Sequence, residues 1–502
     1  MVAQLLDVPA SSKAVVKPLC SGKRFRVMPA RGQLWTEPRS LDELVPPDAP
    51  VRCYDAIINE LDVSALEAYY RGGGPPAFHP RDVLKLLIFA MAEGVRSARA
   101  LARRCGQDVR FMWLAHGVAF DHELLSDFRV TFAEDLKCLF KQTVILGMEA
   151  GLITMRQVSV DGTKIAAHAK RQSCTKEDLE KLLAIFDERV EKLLVEMEAL
   201  DALEDAEAAA ERAAQIPLEL ADTQRRQERL RVAKAALEAK GWDRISETDL
   251  EAPVQKTQDG KRPGYNGQVA VDADSGMVLS QELTDAQNDT QQLPPALAAT
   301  IENTGFKPDA AAFDGGYQSA EGLEYLQTNA INGYVNQAKV ANNGRFGHEA
   351  FTYDAEGDLY LCPEGHELRF KRLKDLRYDD CRVYRSSSKC CRQCERRAEC
   401  LSPKSNSRQL VLAPHSELVS AMRKKIETAE GKAALKRRFG TVEPTFGVMK
   451  AILGLRQFLL VGKEKAAAEL SLAAISINLR KLVKWATEGG SLSQISQALA
   501  EA

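Results

Sequence analysis

Residues 158–170 read VSVDGTKIAAHAK. Val158 and Val160 alternate as a β-strand requires, and then a bare carboxylate, Asp161, takes the next place. The strand reading covers 158–167, and Asp161 is taken as a strand-end acid. Gly162 beside it suits a bend and lets substrate phosphate approach the strand. Alone, Asp161 is as much a turn residue as a ligand.

Working outward, residues 46–150 carry a helical period. PRDVLKLLIFAMAEG opens on Pro80 and closes at Gly94, and DHELLSDF opens on an Asp121 cap. Arg96, Arg99, Arg103, Arg104 and Arg110 cluster around one turn there, which suits a helical DNA-binding domain. After the first strand, Leu179, Leu183, Phe186, Val190, Leu193, Met197 and Leu200 form a heptad seam. It predicts a helical-hairpin insertion over 172–240, a structural arm or dimer contact. GYNGQVAVDADSGMVLSQEL is a β-hairpin signature, TQQLPPALAATIENTG a helix ending at Gly305, and AAFDGGYQS a short buried strand ending on Asp314. A helix (SAEGLEYLQTNA) and a strand (INGYVNQA) follow. The fold class is therefore α/β: a mixed sheet flanked by helices, with one antiparallel hairpin and an N-terminal all-α domain.

The 502-residue chain exceeds one ordinary core. Its net charge of −2 hides segregation: residues 13–39 carry seven Lys/Arg against one acid, and 369–408 thirteen against five. These are surfaces for a polyanion or solvated faces. No run is long and apolar enough to span a membrane, and no signal-type core follows the N-terminus, so a cytoplasmic, nucleoid-associated location is expected. Of eleven cysteines, six lie between Cys362 and Cys400. Cys391-x2-Cys394 has zinc-knuckle spacing, and Cys400 and Cys362 complete a candidate four-thiolate structural Zn2+ site. Cys390, His366 and Cys381 are alternates, and a reduced fold without metal is the other reading.

Asp161, Asp314 and a late acid, Glu443, make a set of oxygen donors suited to Mg2+ or Mn2+ in phosphoryl transfer. The gaps between them are filled by the helical hairpin and the Cys-rich block. Pro444 places Glu443 at a helix start or kink. Asn288 and Asp289 are either near the site or a cap for a helix starting near Thr290. Lys164 falls on the opposite strand face from Asp161, and neither it nor His168 joins the site.

VSVDGTKI, AAFDGGYQS and TVEPTFGVMK, with INLRKL downstream, resemble the three acidic motifs of insertion-sequence DDE transposases. RPGYNGQVAVD and the block from about residue 78 to 150 are similar too. The resemblance implies an RNase H-like catalytic domain, divalent-metal cleavage and strand transfer, and binding to the terminal inverted repeats of an element. It makes Asp161 and Asp314 sharers of one metal and Glu443 the completion of a second site. Lys450, seven residues after Glu443, is then a contact to transposon-end phosphate. Relatives place a Tyr and an Arg just before the Glu; here Lys436 and Phe439 stand there, and Arg438 is the substitute. Arg99, Arg103 and Arg104 are the DNA-binding candidates of the helical domain. The implied organisation is an arm (1–45), a helical domain (46–150), an RNase H-like domain (151–171, 241–340 and 431–484), the hairpin, a Cys-rich basic insertion (341–430) and a tail (485–502). Two-ended synapsis implies a homodimer. The alternatives are an inactive or domesticated DNA-binding protein and a stand-alone RNase H-like nuclease.

Overall fold

The computed structural model describes residues 40–70, 77–201, 207–257, 260–337, 345–376, 378–412 and 416–489. The basic arm up to residue 39 and the tail from 490 lie outside them. Eight helices come first: α1 Leu41–Leu44, α2 Pro50–Glu60, α3 Ser64–Ala68, α4 Pro80–Ala92, α5 Ala98–Arg104, α6 Val109–Leu114, α7 His122–Thr131 and α8 Ala133–Glu149. Their ends follow from local chemistry. Pro80 opens α4, where a missing N–H costs nothing, and the Asp121 carboxylate accepts the Glu123 N–H at the start of α7. Gly94 follows α4 with φ +73°, and a Cβ there would lie 2.6 Å from the Ile452 carbonyl oxygen.

The chain then enters β1, Val158–Ala166, the central strand. α9 (Lys176–Asp201) and α10 (Glu207–Lys240) form the inserted hairpin. The heptad seam is used inside it: Leu179, Leu183 and Phe186 pack with Leu230, Ala233 and Leu237 of α10. The first part of the seam is thus used within the arm itself.

β2 (Val254–Thr257), β3 (Gly260–Asp272), β4 (Val278–Thr284), β5 (Ala310–Phe313) and β6 (Asn332–Val335) complete the main sheet, with α11 (Leu293–Thr304) and α12 (Ala320–Thr328) between its last strands. Its lateral order is β4-β3-β1-β5-β6, with β2 pairing on β3. β1 runs antiparallel to β3 and parallel to β5, and β5 is parallel to β6. The expected mixed sheet forms, and beside the expected β3–β4 hairpin it carries a second one, β2–β3.

A second sheet, β7 (Thr352–Asp354), β8 (Leu359–Leu361), β9 (Glu367–Leu376), β10 (Tyr378–Ser386) and β11 (Gln409–Leu412), carries α13 (Ser388–Gln393) and α14 (Arg397–Cys400). Helical structure resumes at α15 (Ser416–Glu427), earlier than expected, because Met422 is drawn into the main core beside β6. α16 (Ala429–Gly447) and α17 (Lys463–Thr487) follow.

α16 and α17 cover the face of the main sheet on which Asp161 lies, and α11 covers the other. α17 also joins the sheet to the N-terminal helices. Its Asn478 accepts the Val278 N–H and donates to the Val278 carbonyl and to Thr143. Its buried Glu469 pairs with Arg96 at 2.6 Å and accepts the Leu459 and Leu460 N–H groups. Arg96 donates to the Gly454 carbonyl as well. One apolar core runs through the N-terminal helices and the main sheet. No helix among the described residues is long and apolar enough to cross a membrane.

Candidate active site

Asp161 sits inside β1 rather than at its end, which corrects the sequence reading. Its pairing with β3 continues on one side, Asp161 opposite Val269. On the other side the parallel ladder stops at Val160↔Phe313. Asp161 and Asp314 are therefore the next residues along on two neighbouring parallel strands, and the pleat turns them to the same face. The ladder stops because Asp314 leads into a tight turn, with the Tyr317 N–H returning to the Asp314 carbonyl. Asp314 is exposed, whereas Asp161 is largely covered by α16.

Arg438 on α16 makes the cover. Its Nη2 lies 2.7 Å from Asp161 Oδ2 and its Nε donates to the Val160 carbonyl at 3.3 Å. The guanidinium is buried. Arg438 was expected at DNA phosphate; the structure instead makes it the internal counter-ion of Asp161. Its helical phase decides this, since the stripe Gly431, Ala434, Arg438, Val442 and Thr445 faces the sheet. Asp161 Oδ1 accepts the Gly162 N–H at 2.8 Å. Even so, burial pushes the Asp161 carboxyl up to about 6, Asp314 and Asp289 add to the rise, and Arg438 and the Gly162 N–H oppose it.

Glu443 lies in the interior of α16, not at a helix start, and is exposed on the flank of the buried stripe. Pro444 leaves the Gly440 carbonyl without its helical donor, and nothing crowds the place where a Gly440 Cβ would be. The helix absorbs the proline and continues into a π-helical turn at Val448–Ile452. Lys450 sits in that turn, half-buried. Burial and Arg456 lower its pKa, while the Asp161 carboxylate pulls it up. The structure thus brings Asp161, Asp314, Arg438 and Lys450 together, with Glu443 on the adjoining flank. Among the described residues, no three His, Cys, Asp or Glu side chains close on one point as a finished metal cage.

Asp289 belongs to the site neighbourhood. It does not cap a helix: α11 starts at Leu293, behind Gln292, with no side-chain cap. Its Oδ1 accepts from Asn266 Nδ2 at 2.6 Å and Gln268 Nε2 at 2.7 Å. Those amides fill the space over Gly162, where a Cβ would lie 2.6 Å from Asp289 Oδ1 and 2.7 Å from Gln268 Nε2. Gly162 therefore makes room for protein side chains, not for an approaching phosphate. Lys164 lies on that same face, paired opposite Asn266, and donates to the Gln287 carbonyl at 3.1 Å.

The arginines of the helical domain divide. Arg99, Arg103 and Arg104 are exposed on α5, Arg104 being 3.2 Å from Asp108. Arg96 is engaged inside the protein with Glu469, and Arg110 pairs at the surface with Asp108 and Glu93.

In the second sheet the Cys362 Sγ receives the His366 N–H at 3.3 Å inside a tight turn closed by Gly365. Cys362 and Cys400 pack on the same small apolar cluster. Burial raises the Cys400 pKa, and Cys391, Cys362 and Cys394 all lie close enough to raise it further. The side chain of Cys381 lies outside the described residues.

Residues 361–483 match the family described as a transposase DDE domain. Residues 39–131 match a second family, the transposase domain DUF772. The chain carries the domains of a transposase. The DDE match takes in Glu443, Lys450 and the last three strands of the Cys-rich sheet, and the N-terminal match takes in Arg99, Arg103 and Arg104. Asp161 and Asp314 precede the residues of the DDE match. The resemblance to insertion-sequence DDE transposases, drawn from short motifs, is thus supported by both matches. No curated protein matches the chain.

Proposed function

We propose that this transposase binds the terminal inverted repeats of its element and catalyses divalent-metal-dependent strand cleavage and strand transfer, within an RNase H-like catalytic domain. The carrying observation is the juxtaposition of Asp161 and Asp314 where the β1–β5 ladder ends, beneath a helix that bears Arg438, Glu443 and Lys450. The donor set fits a hard cation. It is all carboxylate oxygen, Asp314 and Glu443 are exposed, and the buried Asp161 carboxylate, with Asp314 close enough to raise its pKa further, is a group that Mg2+ or Mn2+ would favour in its charged form. Asp161 and Asp314 would hold one ion and Glu443 would complete a second. When bound, such ions activate water and stabilise the attacking and leaving oxygens of an in-line displacement. Arg438 fixes the Asp161 carboxylate, and Lys450 offers a cation to end phosphate. Arg99, Arg103 and Arg104 offer a second phosphate contact on the same body. A homodimer would pair the two element ends.

The second sheet supports a structural zinc ion held by Cys362, Cys391, Cys394 and Cys400. The turn at Cys362, with an N–H directed at sulfur, suits a thiolate, and sulfur donors suit zinc. Its basic residues add a further surface for DNA.

The deciding experiment is a cleavage assay on element-end DNA with Mg2+ or Mn2+. Alanine at Asp161, Asp314 or Glu443 should reduce cleavage by about 10³-fold or more while end-DNA binding persists. Metal-dependent cleavage retained by D161A would overturn the assignment. Binding without cleavage by the wild type would favour a DNA-binding protein instead.

A further inference from the structure

A line of side chains crosses the catalytic strand on the face away from Asp161. β1 lies between β3 and β5, and Gly162 stands opposite Gln268 of β3. The Tyr317 hydroxyl, three residues after Asp314, donates to Gln268 Oε1. That bond spans β1 directly over Gly162. Gln268 Nε2 in turn donates to Asp289 Oδ1, which also takes Asn266 Nδ2. Tyr317, Gln268 and Asn266 are buried at 0%, 2% and 0% exposure. Three buried polar side chains behind a strand are costly unless bonded. Asn266 Oδ1 has no protein partner, so the bond to Asp289 is what offsets burying that amide. The far end of Asp289, Oδ2, faces the Gly316 backbone, 3.5 Å from where a Cβ would be. The loop that carries Asp289 is tied down by Lys164.

We infer that Asp289 is a positioning residue: through Gln268 and Tyr317 it holds the Asp314 turn against the Asp161 strand and so fixes the separation of the two carboxylates. The inference rests on reading Asp161 and Asp314 as the ion-holding pair. It explains why residue 162 is glycine and why a half-buried acid stands beside two others without capping a helix, its Oδ1 taken by two amides and Lys164 nearby as a cation. Partners that orient ligand side chains are typically worth about 10–100-fold in metal affinity.

The test uses the full chain and Mn2+, read by paramagnetic resonance of the bound ion and by the Mn2+ concentration for half-maximal end cleavage. D289A should weaken Mn2+ binding about tenfold with end-DNA affinity unchanged. D289N keeps an oxygen at Oδ1 for both amide donors and should stay within about threefold of wild type. Y317F, which removes only the crossing hydroxyl, should move the same way as D289A by about threefold, and it serves if D289A fails to fold. D289A and Y317F both binding Mn2+ as wild type does would overturn the inference. D289N losing Mn2+ as fully as D161N would also overturn it, making Asp289 a direct ligand. Wild-type Mn2+ binding by D161N and D314N would remove the underlying reading of the pair, a failure separable from that of Asp289.

Discussion

The two sheets of this protein answer the same problem differently. The main sheet is backed on both faces, and its core continues into the N-terminal helices. The Cys-rich sheet has a core of Phe351, Tyr360, Leu368, Tyr384, Leu410 and Leu412. A sheet with deep apolar backing tolerates buried carboxylates and amides at its centre. A sheet with so little backing gains most from a cross-link, which the zinc ion proposed above would supply. Charge follows the same division, held under the covering helices of the first sheet at Asp161, Arg438 and Glu469 and exposed on the second at Arg369, Arg382 and Arg385.

The sharpest way to break this contrast is to remove the proposed zinc. Chelation, or the double change C391S/C394S, should unfold the second sheet while the main sheet stays folded. Hydrogen exchange would show protection lost over residues 345–412 and kept over β1 and β3. Uniform protection after chelation would mean the small core suffices alone.

The next effect lies inside the main sheet. Removing the Arg438 charge strands Asp161 in a largely buried place, so R438Q should cost about 3 kcal/mol, read from the denaturant midpoint near neutral pH. An unchanged midpoint would show that Arg438 swings clear of Asp161 in solution. The opposite change should stabilise. Because the folded Asp161 carboxyl is raised to about 6, the native state binds the extra proton between the unfolded value and that pH. Its contribution therefore falls as pH rises from about 4 to 6. D161N keeps an oxygen for Arg438 and lacks the titration, so it should be more stable than wild type at pH 7, by up to about 3 kcal/mol, and level with it near pH 4. The smallest effect is on the outer surface. R99Q and R103Q should each lower the salt slope of end-DNA binding by about one unit without moving the denaturant midpoint.

Much of the main sheet was legible because its strands alternate and its turns are punctuated by glycine. The hairpin at Asp272, the stop at Gly305 and the strand before Asp314 all follow local rules. The acids were legible as a set because two recognisable insertions account for their separation. What sequence could not supply was contact across strands. Whether Arg438 meets DNA or Asp161 depends on the rotation of α16 against β1, and one residue of helical phase reverses the answer. Asp289 had the local signature of a cap; its partners, Asn266 and Gln268, come from a strand more than twenty residues away. β2 was missed because four residues are too few to show a period. Most of the five-stranded second sheet was missed because the sequence of its longer strands carries charges at odd and even positions alike, so no alternation shows.

The buried pair Arg96–Glu469 has a consequence for where a cut can fall. Arg96 stands three residues before Arg99 and also binds Gly454, which closes the loop after Lys450. A clamp and a blade mounted on one casting have a fixed span. If α5 grips the element end, the chain measures its cleavage point in ångströms rather than by reading the bases in between. Loosening that mounting, as E469Q would, should blur the position of the cut before it slows the cutting.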